Sequence, residues 1–99
     1  MPIEKLNSQE ISEAMQDLQG WSLGADHESI SKEWVFASFK AAMGFWHQVA
    51  ELAERQNHHP EFWSNYTQFR LRLTTHDAGG LTALDFSLAK EIDRLHLAR

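Results

Sequence analysis

Residues 57–76 read NHHPEFWSNYTQFRLRLTTH, and this stretch decides the fold. Pro60 has no backbone N–H and its ring disfavours helical geometry at His59, so any helix arriving from upstream must stop here. Residues 62–66 and 69–75 then read as two strands joined by a tight turn. Phe69, Leu71 and Leu73 fall on one face of the second strand, and Gln68, Arg70 and Arg72 on the other. The adjacent imidazoles at 58 and 59 are poor core material and costly to bury without partners, so solvent or a function must account for them.

Upstream of the hairpin, Ser38 can cap a helix in which Phe39, Ala42, Met43, Trp46, Val49, Ala50 and Ala53 recur at helical spacing. Before it, residues 21–23 and 30–36 alternate in the strand sense around a polar loop at 24–29, with Ile30, Trp34 and Phe36 sharing the buried face. Asn7-Ser8-Gln9-Glu10 signals a first helix carrying Ile11, Ala14, Met15 and Leu18, closed by Gly20. Downstream, 76–80 is a loop, and Thr82 with Asp85 forms a capping pair for a last helix striped by Leu84, Leu88, Ile92 and Leu95. The order α-β-β-α-β-β-α predicts an α+β fold: one domain over residues 1–99, a four-stranded, mainly antiparallel sheet, and helices packed on one face. Such a sheet leaves its other face or its edges open, so a homodimer or homotetramer is expected.

The composition sets limits on function. A chain of 99 residues, 42% hydrophobic and 23% charged, has the balance of an ordinary globular domain. A net charge of −5 argues against nucleic-acid binding, which draws its affinity from Lys and Arg on phosphates. With no cysteine, disulfides and thiolate zinc sites are excluded, and a cytoplasmic address is permitted. The polar start MPIEKLNSQE holds no signal peptide, and no apolar run is long enough to span a membrane, so the mature chain is expected to be the whole chain.

Three histidines are the candidates for chemistry. If the two strands pair as a hairpin, the start of the first lies beside the end of the second, and His76 returns alongside His58 and His59. Histidine, with an ordinary pKa of ~6.5, is the natural proton donor and acceptor near neutrality. A metal cluster is the rival reading. Neighbouring residues of an extended segment point to opposite faces, however, and there is neither cysteine nor an H-E-x-x-H helix, so no metal is expected. Asp85 is either a helix cap or a site residue, and Glu54 either a solvated acid or the orienter of an imidazole. His27, His47 and His96 read as solvated, and the aromatic residues Trp21, Trp34, Phe39, Trp46, Phe62, Trp63 and Tyr66 as mostly core. No nucleophile elbow, phosphate loop or paired-carboxylate pattern is present. The residues alone thus support a histidine acid/base site for a small molecule, with no covalent step.

At their spacings, Glu54-x-x-x-His58-His59-Pro60, Tyr66, His76 and Asp85 resemble the signature of the pterin-4a-carbinolamine dehydratases, as do DLQGW at 17–21, VFASFKAAMGFWHQVA at 35–50 and TTHDAGGLTALDFSLAKEID at 74–93. The strand after HHPE departs from the family's usual asparagine-valine-tyrosine-asparagine run, reading FWSNYT. The resemblance implies dehydration of 4a-hydroxytetrahydropterin to quinonoid dihydropterin and water, recycling the pterin of aromatic amino-acid hydroxylases, with a small-molecule pterin as substrate and no cofactor. It implies that His58 and His76 exchange protons while His59 chiefly holds the pterin, that Glu54 and Asp85 orient or hydrogen-bond nearby, and that Pro60 fixes the turn. The alternative it carries is a non-catalytic module serving as dimerisation or assembly cofactor for another protein.

Overall fold

The computed structural model describes residues 3–98. The longest element is the helix α2, Phe39–Gln56, and it follows from its ends. Ser38 is extended and its hydroxyl accepts the Ala41 N–H at 3.0 Å, while Asn57 closes the helix in the left-handed conformation, φ 51° and ψ 42°. Its buried stripe is Ala42, Phe45, Val49, Leu52 and Ala53. This differs from the predicted stripe by a rotation: Phe45 and Leu52 enter the core, Phe39 is exposed, and Trp46 and Ala50 flank it. Helix α1, Ser8–Gln16, starts with the reciprocal capping bonds of Asn7 and Glu10, and it stops short of Leu18, which still packs against the core.

The strands β1 (Ser22–Leu23), β2 (Ile30–Val35), β3 (Glu61–Asn65) and β4 (Gln68–Leu73) form an antiparallel sheet in the order β1-β2-β4-β3. Helix α3, Ala83–Leu97, completes the chain. One sheet face supplies Ile30, Trp34, Phe69, Leu71 and Leu73 to a core shared with Ile11 of α1, Phe45 and Val49 of α2, and Leu88 and Ile92 of α3. The predicted element order and the helices on one face of the sheet are therefore what the chain adopts. Tyr66 differs: it leaves the strand and makes the β3–β4 turn with φ 57°. The aromatic residues also divide more evenly than expected. Trp21 and Trp34 are buried, whereas Phe39, Phe62, Trp63 and Tyr66 are exposed, three of them on the edge strand β3 or its turn.

The open sheet face is polar. Arg72 pairs with Glu61 and Asp26, and the Arg70 guanidinium lies 5.0 Å from the Trp63 ring. On the other side of the sheet, where β2 meets α3, Asp93 ties the Trp21 indole N–H at 3.1 Å to the Lys32 ammonium at 2.9 Å. Among the described residues no helix is long and apolar enough to cross a membrane.

Candidate functional site

The site grows from the way α2 ends. Asn57 donates its N–H to the Glu54 carbonyl at 3.2 Å, and His58 donates to the Ala53 carbonyl at 3.1 Å, the pair of bonds that closes a helix through one left-handed residue. Asparagine tolerates that conformation better than other side-chain-bearing residues. The reversal sends His58 inward and leaves His59 at the surface, since successive residues of the extended segment before β3 face opposite ways. His58 is 8% exposed. In the β3–β4 register Glu61 opposes Arg72, so the residues preceding β3 run alongside those following β4.

Two acid–imidazole pairs result. His58 Nε2 lies 2.7 Å from Asp85 Oδ1, with the aspartate fully buried. His59 Nε2 lies 2.7 Å from Glu54 Oε1, both groups in solvent. Asp85 is at once a cap and a site residue. Its Oδ2 accepts the Thr82 N–H at 3.0 Å and the Thr75 hydroxyl at 2.8 Å, leaving Oδ1 for His58. Thr75 and Thr82 touch each other through their hydroxyls at 2.7 Å. The carboxylate at the first turn of α3 is thus held by two donors and faces the His58 ring, and the helix dipole favours negative charge there.

His76 opens the 3-10 turn His76–Ala78, which ends on Gly79 at φ 74°. It is exposed, and among the described residues its ring makes no hydrogen bond, ion pair or ring contact with the other two imidazoles. Its neighbour Thr75 is the residue that reaches the His58–Asp85 pair. No group of three or more His, Asp or Glu residues is arranged to hold a metal ion among the described residues.

Beside the surface pair, a groove of about 470 Å³ is lined by Trp46, Ala50, Glu54, His59, Pro60 and Phe62. Trp46 and Phe62 stack face to face, centroids 4.1 Å apart and planes 25° from parallel. Phe62 is 51% exposed. The groove combines this apolar wall with the polar side chains of His47, Glu51, Glu54 and His59, a mixture common in small-molecule sites. A smaller hollow of about 250 Å³ on the open sheet face, by Arg70 and Trp63, contains none of the histidines.

The family model described as pterin 4 alpha carbinolamine dehydratase matches residues 4–95. The chain belongs to that family. A Rhizobium johnstonii protein provisionally named as a pterin-4-alpha-carbinolamine dehydratase is 45% identical over 94 residues, 95% of this chain and 93% of its own. A Sulfurisphaera tokodaii protein with the same provisional name is 43% identical over 93 residues, 94% of this chain and 98% of its own. The crystal structure of a transcriptional coactivator/pterin dehydratase from Brucella melitensis superposes with a TM-score of 0.89 at 34% identity, covering 93% of this chain and 98% of that one. A pterin dehydratase-like protein identified as a RuBisCO assembly factor in the alpha-carboxysome shares the fold, with a TM-score of 0.66 at 20% identity over 78% of this chain and 89% of that one.

Within this dehydratase-family fold, sequence reasoning missed Thr75, whose hydroxyl donates to Asp85, and the Trp46 face of α2. A signal existed for Thr75: a threonine at the end of a strand whose alternation points it inward, one residue before a singled-out histidine. For Trp46 there was none, since its helical spacing fits a core position equally well.

Proposed function

We propose that the protein dehydrates a 4a-hydroxytetrahydropterin to quinonoid dihydropterin and water by histidine general acid/base catalysis. The bond from C4a to the hydroxyl oxygen breaks as a proton reaches that oxygen. The lone pair of the adjacent ring nitrogen forms a C=N bond, and the proton on that nitrogen leaves to a base. One acid and one base balance the reaction, and no oxidant, reductant or cofactor is required. His58 and His76 exchange these protons. His59, oriented by Glu54, holds the pterin against the Trp46–Phe62 wall, and Pro60 keeps the turn in the geometry that positions both imidazoles.

The observation that carries the reading is the juxtaposition, on consecutive residues, of a buried imidazole paired with a carboxylate, His58 with Asp85, and a solvent-facing one, His59 with Glu54, that lines an aromatic-walled groove. Family membership supports the substrate class. The class of reaction that supplies this substrate is aromatic amino-acid hydroxylation, which leaves the 4a-carbinolamine behind. The decisive experiment is turnover of enzymatically generated 4a-hydroxytetrahydropterin: the protein accelerates its dehydration above the buffer rate, and a rate equal to buffer removes the proposal.

A second reading is favoured by one observation, the description of the similar Brucella protein as a transcriptional coactivator as well as a pterin dehydratase. On that reading the chain is a binding module for another protein. Stabilisation of a partner that survives replacement of His58, His59 and His76 together supports it. A homo-oligomer accords with either reading, because edge strand β3 presents Phe62 and Trp63 to solvent. Light scattering that gives the mass of a single chain removes it.

A further inference from the structure

The buried polar chain behind His58 has a direction, and the direction follows from counting hydrogens. Asp85 meets three partners, the Thr82 N–H, the Thr75 hydroxyl and His58 Nε2. A carboxylate accepts and does not donate, so the single Thr75 proton goes to Oδ2 at 2.8 Å. Thr75 Oγ1 has then no hydrogen left for Thr82, and the 2.7 Å contact between the two hydroxyls requires Thr82 to donate. Thr82 Oγ1 in turn accepts the Leu84 N–H at 3.2 Å. Every donor finds one acceptor, and Oδ1 is left facing the His58 ring. A lone pair on Nε2 at 2.7 Å would face the lone pairs of that oxygen; a hydrogen there completes the chain.

Among the described residues the other ring nitrogen, Nδ1, makes no hydrogen bond. Among the described residues the sealed side-chain polar atom without a partner is Trp34 Nε1, so Nδ1 keeps contact with solvent although His58 as a whole is buried.

We infer that the Thr82–Thr75–Asp85 chain fixes neutral His58 as the Nε2–H tautomer, which makes Nδ1 the nitrogen that exchanges protons with substrate and Thr75 a positioning residue for the reaction. The second half of this rests on the dehydratase reading; which nitrogen carries the hydrogen does not. Thr75 is itself buried. It acts through Asp85, holding the carboxylate plane so that Oδ1 meets the imidazole edge.

Long-range ¹⁵N–¹H spectra of the ¹⁵N-labelled full chain, recorded well above histidine's ordinary pKa of ~6.5, test it without any substrate. The expected spectrum has His58 Nε2 as the protonated nitrogen and Nδ1 as the bare one. A bare Nε2 overturns the inference whatever the activity. The variant Thr75→Val frees the carboxylate plane to turn, so it is expected to shift the His58 Nε2–H resonance and to lower kcat by roughly 10-fold or more with KM little changed, and Thr75→Ser to restore both. An unchanged His58 spectrum in folded Thr75→Val, or failure of the serine variant to restore it, also overturns it. If Thr75→Val does not fold, the wild-type tautomer alone decides. Wild-type protein with the expected tautomer and no turnover sinks the dehydratase reading and leaves the tautomer assignment standing.

Discussion

Asp85 sits with one carboxylate oxygen 2.7 Å from His58 Nε2 and the other 3.0 Å from the backbone N–H that opens α3. One side chain therefore serves stability and orientation together, and a change in it has two readouts. Asp85→Asn offers an amide N–H₂ where His58 presents its own hydrogen, so either the ring turns over its tautomer or the contact is lost. The expected loss is about 10²- to 10⁴-fold in kcat/KM, the span of a misplaced acid or base, with about 1–3 kcal/mol of unfolding free energy. Denaturant unfolding beside steady-state kinetics checks it, and wild-type turnover in the asparagine variant rules out Asp85 as the orienter.

The two consecutive imidazoles should separate in the same way. His58→Ala strips Asp85 of one of three donors inside the fold and is expected to cost about 1–3 kcal/mol. His59→Ala removes an exposed group paired with an exposed glutamate and should move stability by no more than about 0.5 kcal/mol, while turnover is lost. Urea titration of both variants reads the difference; equal destabilisation would show that the burial contrast between them has no energetic weight.

Phe62 leaves half its surface to solvent and stacks on Trp46. If the groove holds the pterin, Phe62→Ala removes the wall and leaves both acid–imidazole pairs in place. Aromatic contacts of this kind carry about 0.5–1.5 kcal/mol beyond area burial, so KM should rise roughly two- to tenfold with kcat nearly constant. A fall in kcat at unchanged KM would place the substrate elsewhere.

The fold was legible because the punctuation is strong and the periods are distinct. Pro60 stops α2, Ser38 and Thr82 start helices, and the Phe69-Leu71-Leu73 alternation admits one sheet face. What the periodicity did not carry was which of several apolar residues on α2 the sheet would cover, since Phe39 and Phe45 lie on opposite edges of the Ala42–Val49 line and tertiary packing decides between them. At the site, spacing left Asp85 as either a cap or a site residue. That it also meets His58 depends on how α3 docks under the end of α2, and no local pattern encodes it. The same holds for Thr75, which matters through a contact to a residue ten positions on.

Asn57 ties these levels together, because the left-handed residue that ends α2 also aims His58. With φ at 51°, a β-branched side chain would collide with the backbone, whereas glycine would not. Asn57→Gly should leave stability within about 0.5 kcal/mol and turnover unchanged, since glycine commonly closes helices in this conformation. Asn57→Val should cost about 1–2 kcal/mol through local strain. The larger consequence of the valine lies downstream. Relief of that strain by a rotation at residue 57 swings the His58 ring off Asp85 Oδ1, so activity should fall further than the loss of folded protein explains. Measuring kcat per folded molecule in both variants separates the effects: a valine variant whose folded fraction turns over like wild type would show that the helix ending and the imidazole are positioned independently.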